Sequence, residues 1–113
     1  MNTVTICVSS VDESQRRMAL AFTGVPQGAQ IGFASFDLLW KLMTAKRWHI
    51  LQAMAGQGEL TIRDIAGRVG RDVKAVHGDV RALLAVGVLK RIGRHVEFPF
   101  DAVHLDVLLK TAA

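Results

Sequence analysis

A chain of 113 residues, 50% hydrophobic and 21% charged, has the composition of a folded domain with a real core, which excludes a disordered or low-complexity protein. Its one cysteine, Cys7, excludes an internal disulfide and a cysteine-based zinc cluster, and no apolar run approaches the length of a membrane span. The formal charge of +4 is unevenly spread: residues 1–43 are neutral, residues 44–100 carry ten basic and five acidic side chains, and residues 101–113 are net −1. An excess confined to one segment points to a polyanionic partner. The start, MNTVTICVSS, has neither the basic nor the long apolar region of a secretory leader, so a cytoplasmic location is expected.

Along the chain, Val4, Ile6 and Val8 alternate as a strand does, and Ser10 with Glu13 reads as a capping box for a helix over residues 11–22. The GVPQG run at residues 24–28 is a turn, and residues 31–34 read as a short strand. Ser35 then caps a helix holding Phe36, Leu39, Trp40 and Met43, with Leu38 and Leu42 on its other side. A helix apolar nearly all round needs cover from several directions, and in so small a chain a second copy is the plainest source. Residues 1–43 are therefore expected to be an extension offering dimer or partner surface.

Thr44 opens a helix with Trp48, Leu51 and Ala55 as its apolar face, flanked by Ile50 and Met54, and the GQG run at residues 56–58 stops it. Glu59 and Leu60 form a short extended link. Thr61 with Asp64 makes a capping box for a second helix, whose Ile62, Ile65, Ala66 and Val69 follow the i, i+3, i+4, i+7 template up to Gly70. Asp72 caps a third, longer helix lined by Val73, Val76, Val80, Leu83 and Leu84 and ended by Gly87. VLKRI at residues 88–92, a Gly93–Arg94 turn and HVEFPF at residues 95–100 read as a β-hairpin, in the place of a wing. Residues 101–113, with Val103, Leu105, Val107, Leu108 and Leu109, are expected to form a further apolar helix. The expected fold class is mainly α with a small β-hairpin. It comprises a winged helix-turn-helix DNA-binding domain over residues 44–100, an N-terminal strand and helix extension, and a C-terminal helix.

The runs FASFDLLWKLMTAKRWHILQAM, IRDIAGRVGRDVKAVHGDVRALLAVGVLKR and VEFPFDAVHLD resemble a family of small prokaryotic winged-helix predicted transcriptional regulators. The resemblance spans roughly residues 31–110, and its most specific pieces are RDVKAVHGDVRAL and FPFDAVHLD. It implies a MarR-like fold and a homodimeric repressor of its own operon. Members are often encoded beside a small toxin and viewed as antitoxins. The short KRIGRH wing departs from the family pattern and argues against deep insertion into the minor groove.

On a helical wheel, Ala75, Gly78 and Ala82 of the third helix point directly away from its expected core face, with Lys74 and Arg81 along one edge and Arg71 at the N-terminus. Such a face either lies in the major groove of double-stranded DNA or packs against another helix with its charges solvated. Arg71 and Lys74 are the leading contacts and Arg81 the third. Thr61 offers its hydroxyl and the first helical amides to a phosphate, besides acting as a cap. Arg94 and His95 at the hairpin tip either touch phosphate or minor groove or stand in solvent. His77, near the expected buried flank, is read as a structural hydrogen-bond donor in preference to a base reader. Arg63 and Arg68 are either surface or backbone contacts, and Lys46 and Arg47 could reach the backbone from the first helix but are not counted among the contacts.

Catalysis is not expected. Cys7 lies in a strand pattern without a helix N-terminus or cationic neighbour to activate it. The histidines His49, His77, His95 and His104 occupy four separate elements, none at metal-ligand spacing from another. No cofactor and no metal are expected. The rival reading is a module retained for protein–protein contact, neutralising a partner without specific DNA binding.

Overall fold

The computed structural model of the protein describes residues 2–8 and 29–108. Strand β1 (Thr3–Val8) is followed by β2 (Ala29–Phe33) and four helices, α1 (Phe36–Leu42), α2 (Ala45–Met54), α3 (Ile62–Val69) and α4 (Val73–Ala85). The short strands β3 (Lys90–Ile92) and β4 (His95–Glu97) precede β5 (Ala102–Asp106).

Two sheets result. The first has the order β2–β1–β5 with both pairings parallel, and the second is the antiparallel pair β3–β4. In the parallel sheet Ile6 stands opposite Ile31 on one side and Leu105 on the other, and Val4 opposite Val103. Paired residues share a face, so these side chains make one apolar surface. That surface meets the helices in a single core: Val4, Ile6, Leu39, Ile50, Met54, Ile65, Val76, Val80, Leu83 and Val96 are all buried within it. A polar clamp sets the register of β5, since the Asn2 N–H donates to Asp101 Oδ2 at 2.8 Å and the Asp101 N–H to the Asn2 carbonyl at 2.7 Å.

This architecture overturns the expectation of a mainly α winged helix-turn-helix with a C-terminal helix: the fold is mixed α/β, built on a parallel sheet. The sharpest correction is at the C-terminal end, where residues 102–106 are a strand. Val103, Leu105 and Val107 obey a period of two as well as they obey helical clustering, and a short apolar run does not distinguish the two. The decision falls to β1, whose backbone, buried between two edges, requires hydrogen-bonding partners on both sides. The expected helix over residues 11–22, the turn at residues 24–28 and Leu109 lie outside the described residues.

The helical segment is specified locally. Ser35, Thr44, Thr61 and Asp72 each accept a backbone N–H from the first turn of the helix that follows. Gly70 ends α3 at φ 67°, a left-handed conformation that favours glycine, and its N–H bonds the Ala66 carbonyl. The α2 core face is Ile50, Leu51 and Met54, with Trp48 half-buried and Ala55 exposed. Leu60, just before α3, bridges Val96 of β4 through a reciprocal pair of backbone bonds of 2.9 and 2.7 Å, which ties the hairpin to the start of that helix. The hairpin strands are shorter than expected because Pro99 has no N–H to extend the ladder. Among the described residues, no helix is long and apolar enough to cross a membrane.

Candidate nucleic-acid interface

The exposed side of α4 is set by which of its residues reach the core. Val76, Val80 and Leu83 are buried, Leu84 is half-buried, and Val73 is 44% exposed. Counting Val73 and Leu84 as full core members rotates the inferred outward face toward Ala75 and Ala82. With the core centred on Val76, Val80 and Leu83, about 100° per residue places Lys74, Gly78, Arg81 and Ala85 directly opposite it. All four are exposed, whereas Ala82 is half-buried. The two basic side chains thus stand at the centre of the outward face and not along its edge. His77 is also exposed, and the sequence expectation of a position at the buried flank is corrected.

Gly78 sits in the middle of this stripe, where glycine costs a helix roughly 1 kcal/mol relative to alanine. A Cβ built there meets no atom within 4 Å among the described residues, as is also true of Gly67 in α3.

Arg71 is placed differently from Lys74. Its Nη2 donates to Asp79 Oδ2 at 2.9 Å, while Arg47 Nε donates to Asp79 Oδ1 at 3.0 Å. Arg47 also reaches the Lys41 and Leu42 carbonyls through Nη1, at 3.2 and 2.8 Å. One carboxylate on α4 therefore fastens the start of α2, the end of α1 and the turn before α4. Arg71 Nη1 is buried without a partner among the described residues. Sequence reasoning missed Asp79. An acidic residue on an otherwise basic helix was its available signal.

Thr61 acts as a cap in full: its hydroxyl oxygen accepts from the Asp64 N–H at 3.1 Å, and its own N–H donates to Asp64 Oδ2 at 3.2 Å. The Thr61 backbone N–H, then its side chain, hold the Asp64 carboxyl below its usual range, and the Coulombic influence of Arg68 and, last, of His95 adds to this. The bridge between Leu60 and Val96 brings the adjacent His95 beside the start of α3. Arg94 is exposed in the turn between β3 and β4, as are Lys90 and Arg91 on β3. Arg68 donates to Gln57 Oε1 at 2.9 Å.

The six sequence candidates thus fall into groups: Lys74 with Arg81 on α4, Thr61 with His95 at the start of α3, Arg94 at the hairpin turn, and Arg71 in the Asp79 cluster. Cys7 is buried, its Sγ 3.7 Å from the Ile31 carbonyl. Among the described residues, no group of three or more His, Cys, Asp or Glu side chains is disposed to hold a metal ion.

No curated protein and no solved structure matches the chain. The profile of the HVO_A0114 family matches residues 42–105, from the end of α1 to the fourth residue of β5. That span is more than half of the chain, and the chain belongs to the HVO_A0114 family.

Proposed function

We propose that this chain is a sequence-specific DNA-binding regulator of transcription, working in the cytoplasm as a homodimer that represses its own operon. The observation that carries this reading is the outward stripe of α4, Lys74, Gly78 and Arg81, in the segment that holds the whole positive excess. A helix that enters the major groove needs cations for the phosphates and little bulk where the backbone approaches the bases. Among the described residues, nothing lies within 4 Å of where a Cβ at Gly78 would stand, so the stripe is open to a partner there. In this reading Lys74 and Arg81 contact DNA from α4, Arg94 and His95 reach the neighbouring backbone from the hairpin, and the start of α3 at Thr61 lies against a phosphate. Arg71 acts through Asp79, holding α4 at its angle to α2. The resemblance to prokaryotic regulators supports the same reading and adds an antitoxin role toward a small toxin.

The test is a salt titration of binding to the protein's own promoter fragment, read against a scrambled duplex. Wild-type affinity falls by about tenfold or more over a fourfold rise in salt, and Lys74→Ala with Arg81→Ala lowers the logarithmic salt slope by about 2. Gly78→Ala keeps the fold and weakens binding. Binding that ignores salt, or that survives all three substitutions, favours the rival module that neutralises a partner protein.

A further inference from the structure

The parallel sheet ends on β5 with no described residue paired to its outer edge, because the strand order is β2–β1–β5. Exposed strand edges invite pairing, and residues Ala102–Asp106 carry no proline, lysine or bulge to discourage it. Beside this edge the helices also leave apolar surface open. Trp40 is 62% exposed, Leu105 37% and Val107 42%. Trp40, Trp48 and Leu105 line one continuous groove, so the uncovered surface runs from α1 and α2 onto the strand.

We propose that β5 pairs antiparallel with β5 of a second copy of this chain, about a two-fold axis at Leu105, joining the two sheets into one of six strands. The choice of register follows from which polar side chains it brings opposite one another. Centred on His104 the pairing would stack two imidazoles, and centred on Asp106 it would oppose two carboxylates. Centred on Leu105, it sets His104 opposite Asp106 of the copy, twice by symmetry. The same register places Leu105 opposite Leu105 and Val103 opposite Val107. Directly opposed residues share a face, and Val103 and Leu105 lie on the face shared with Val4 and Ile6. The apolar pairs therefore fall on the side of the Trp40 groove, and the His104–Asp106 pairs on the other. The observations that carry the interface are independent of DNA binding: an edge open among the described residues, a continuous apolar surface, and an imidazole placed to hydrogen-bond a carboxylate of the copy.

The experiment is sedimentation equilibrium of the full chain without DNA. The wild type is expected to be dimeric at concentrations well below about 100 μM. His104→Asp opposes two pairs of carboxylates and is expected to raise the dimer dissociation constant about tenfold. His104→Asp with Asp106→Lys sets a carboxylate opposite an ammonium and returns the constant to within about threefold of wild type. Both positions are exposed, so neither change threatens the fold. A monomeric wild type overturns the proposal, as does a dimer that His104→Asp leaves intact or that the double variant fails to rescue. None of these outcomes depends on whether the promoter is bound.

Discussion

The helical segment from α2 to α4 and the parallel sheet bury side chains in the same core, yet they are organised over different distances. Each helix is started by a residue that bonds within its own first turn, as Thr61 does with Asp64 three positions on. The sheet is assembled from strands as far apart as Thr3–Val8 and Ala102–Asp106, and its polar clamp joins Asn2 to Asp101. Their surfaces differ as well. The helices and hairpin expose cations, whereas α1 and β5 expose Phe36, Leu38, Trp40 and Leu105. Two surfaces of opposite character on one small body suit two kinds of partner. A charged face gains from a polyanion, and an apolar edge gains from another sheet.

The largest expected effect tests whether the two regions are separable at all. Ile6 is fully buried at the centre of the sheet and belongs to the same core cluster as Leu83 of α4. Ile6→Ala should cost about 2–5 kcal/mol through lost burial and an unfilled cavity. Urea unfolding followed by circular dichroism and by tryptophan fluorescence should then give coincident transitions at lower denaturant. Separate transitions, with the helices surviving the loss of the sheet, would break the single-core description.

Next in size is the carboxylate that fastens the helical region internally. Asp79→Asn removes the negative charge and one of the two acceptor oxygens that Arg47 and Arg71 share, leaving two partly buried guanidinium groups close together. Because these side chains are 17–21% exposed, solvent moderates the loss, which should be about 1–2 kcal/mol in chemical denaturation. A stability equal to wild type would mean that the cluster does not fix α4 against α2, and Arg71 would then join the proposed contacts to DNA.

The smallest effect sharpens the local character of the helices. Asp64 has a lowered pKa in the fold, so its contribution is complete above the carboxylate range and lost as the pH falls through its folded value. Wild type should therefore be more stable than Asp64→Asn at neutral pH, and the gap should close on acidification. A gap in denaturation midpoint that stays constant between neutral and acidic pH would show that the cap does not depend on the charge.

Much of this was legible in the residues, and where it was not the reasons are specific. Thr44, Thr61, Asp72 and Gly70 could be read as boundaries because capping is a matter of neighbours three or four positions apart. The alternation of Val4, Ile6 and Val8 likewise announced β1. The outward face of α4 was legible only to within a rotation, since Val73 is as apolar as its neighbours but lies one turn beyond the reach of the core. His77 was misplaced for the same reason. The Arg47–Asp79–Arg71 cluster was not legible, because its members are brought together from two helices and a turn.

What the sequence determined by itself was therefore short in range: the helix boundaries, the hairpin turn at Gly93, and the concentration of positive charge between residues 44 and 100. The tertiary structure alone decided that residues 102–106 run as a strand parallel to β1, and so that the fold is mixed α/β. The physical reason is that a helix satisfies its backbone within its own sequence, whereas a strand takes its hydrogen bonds from wherever the chain returns. An apolar run such as Val103 to Leu108 carries both possibilities, and β1, buried between its two neighbours, selects the one that completes its own ladder.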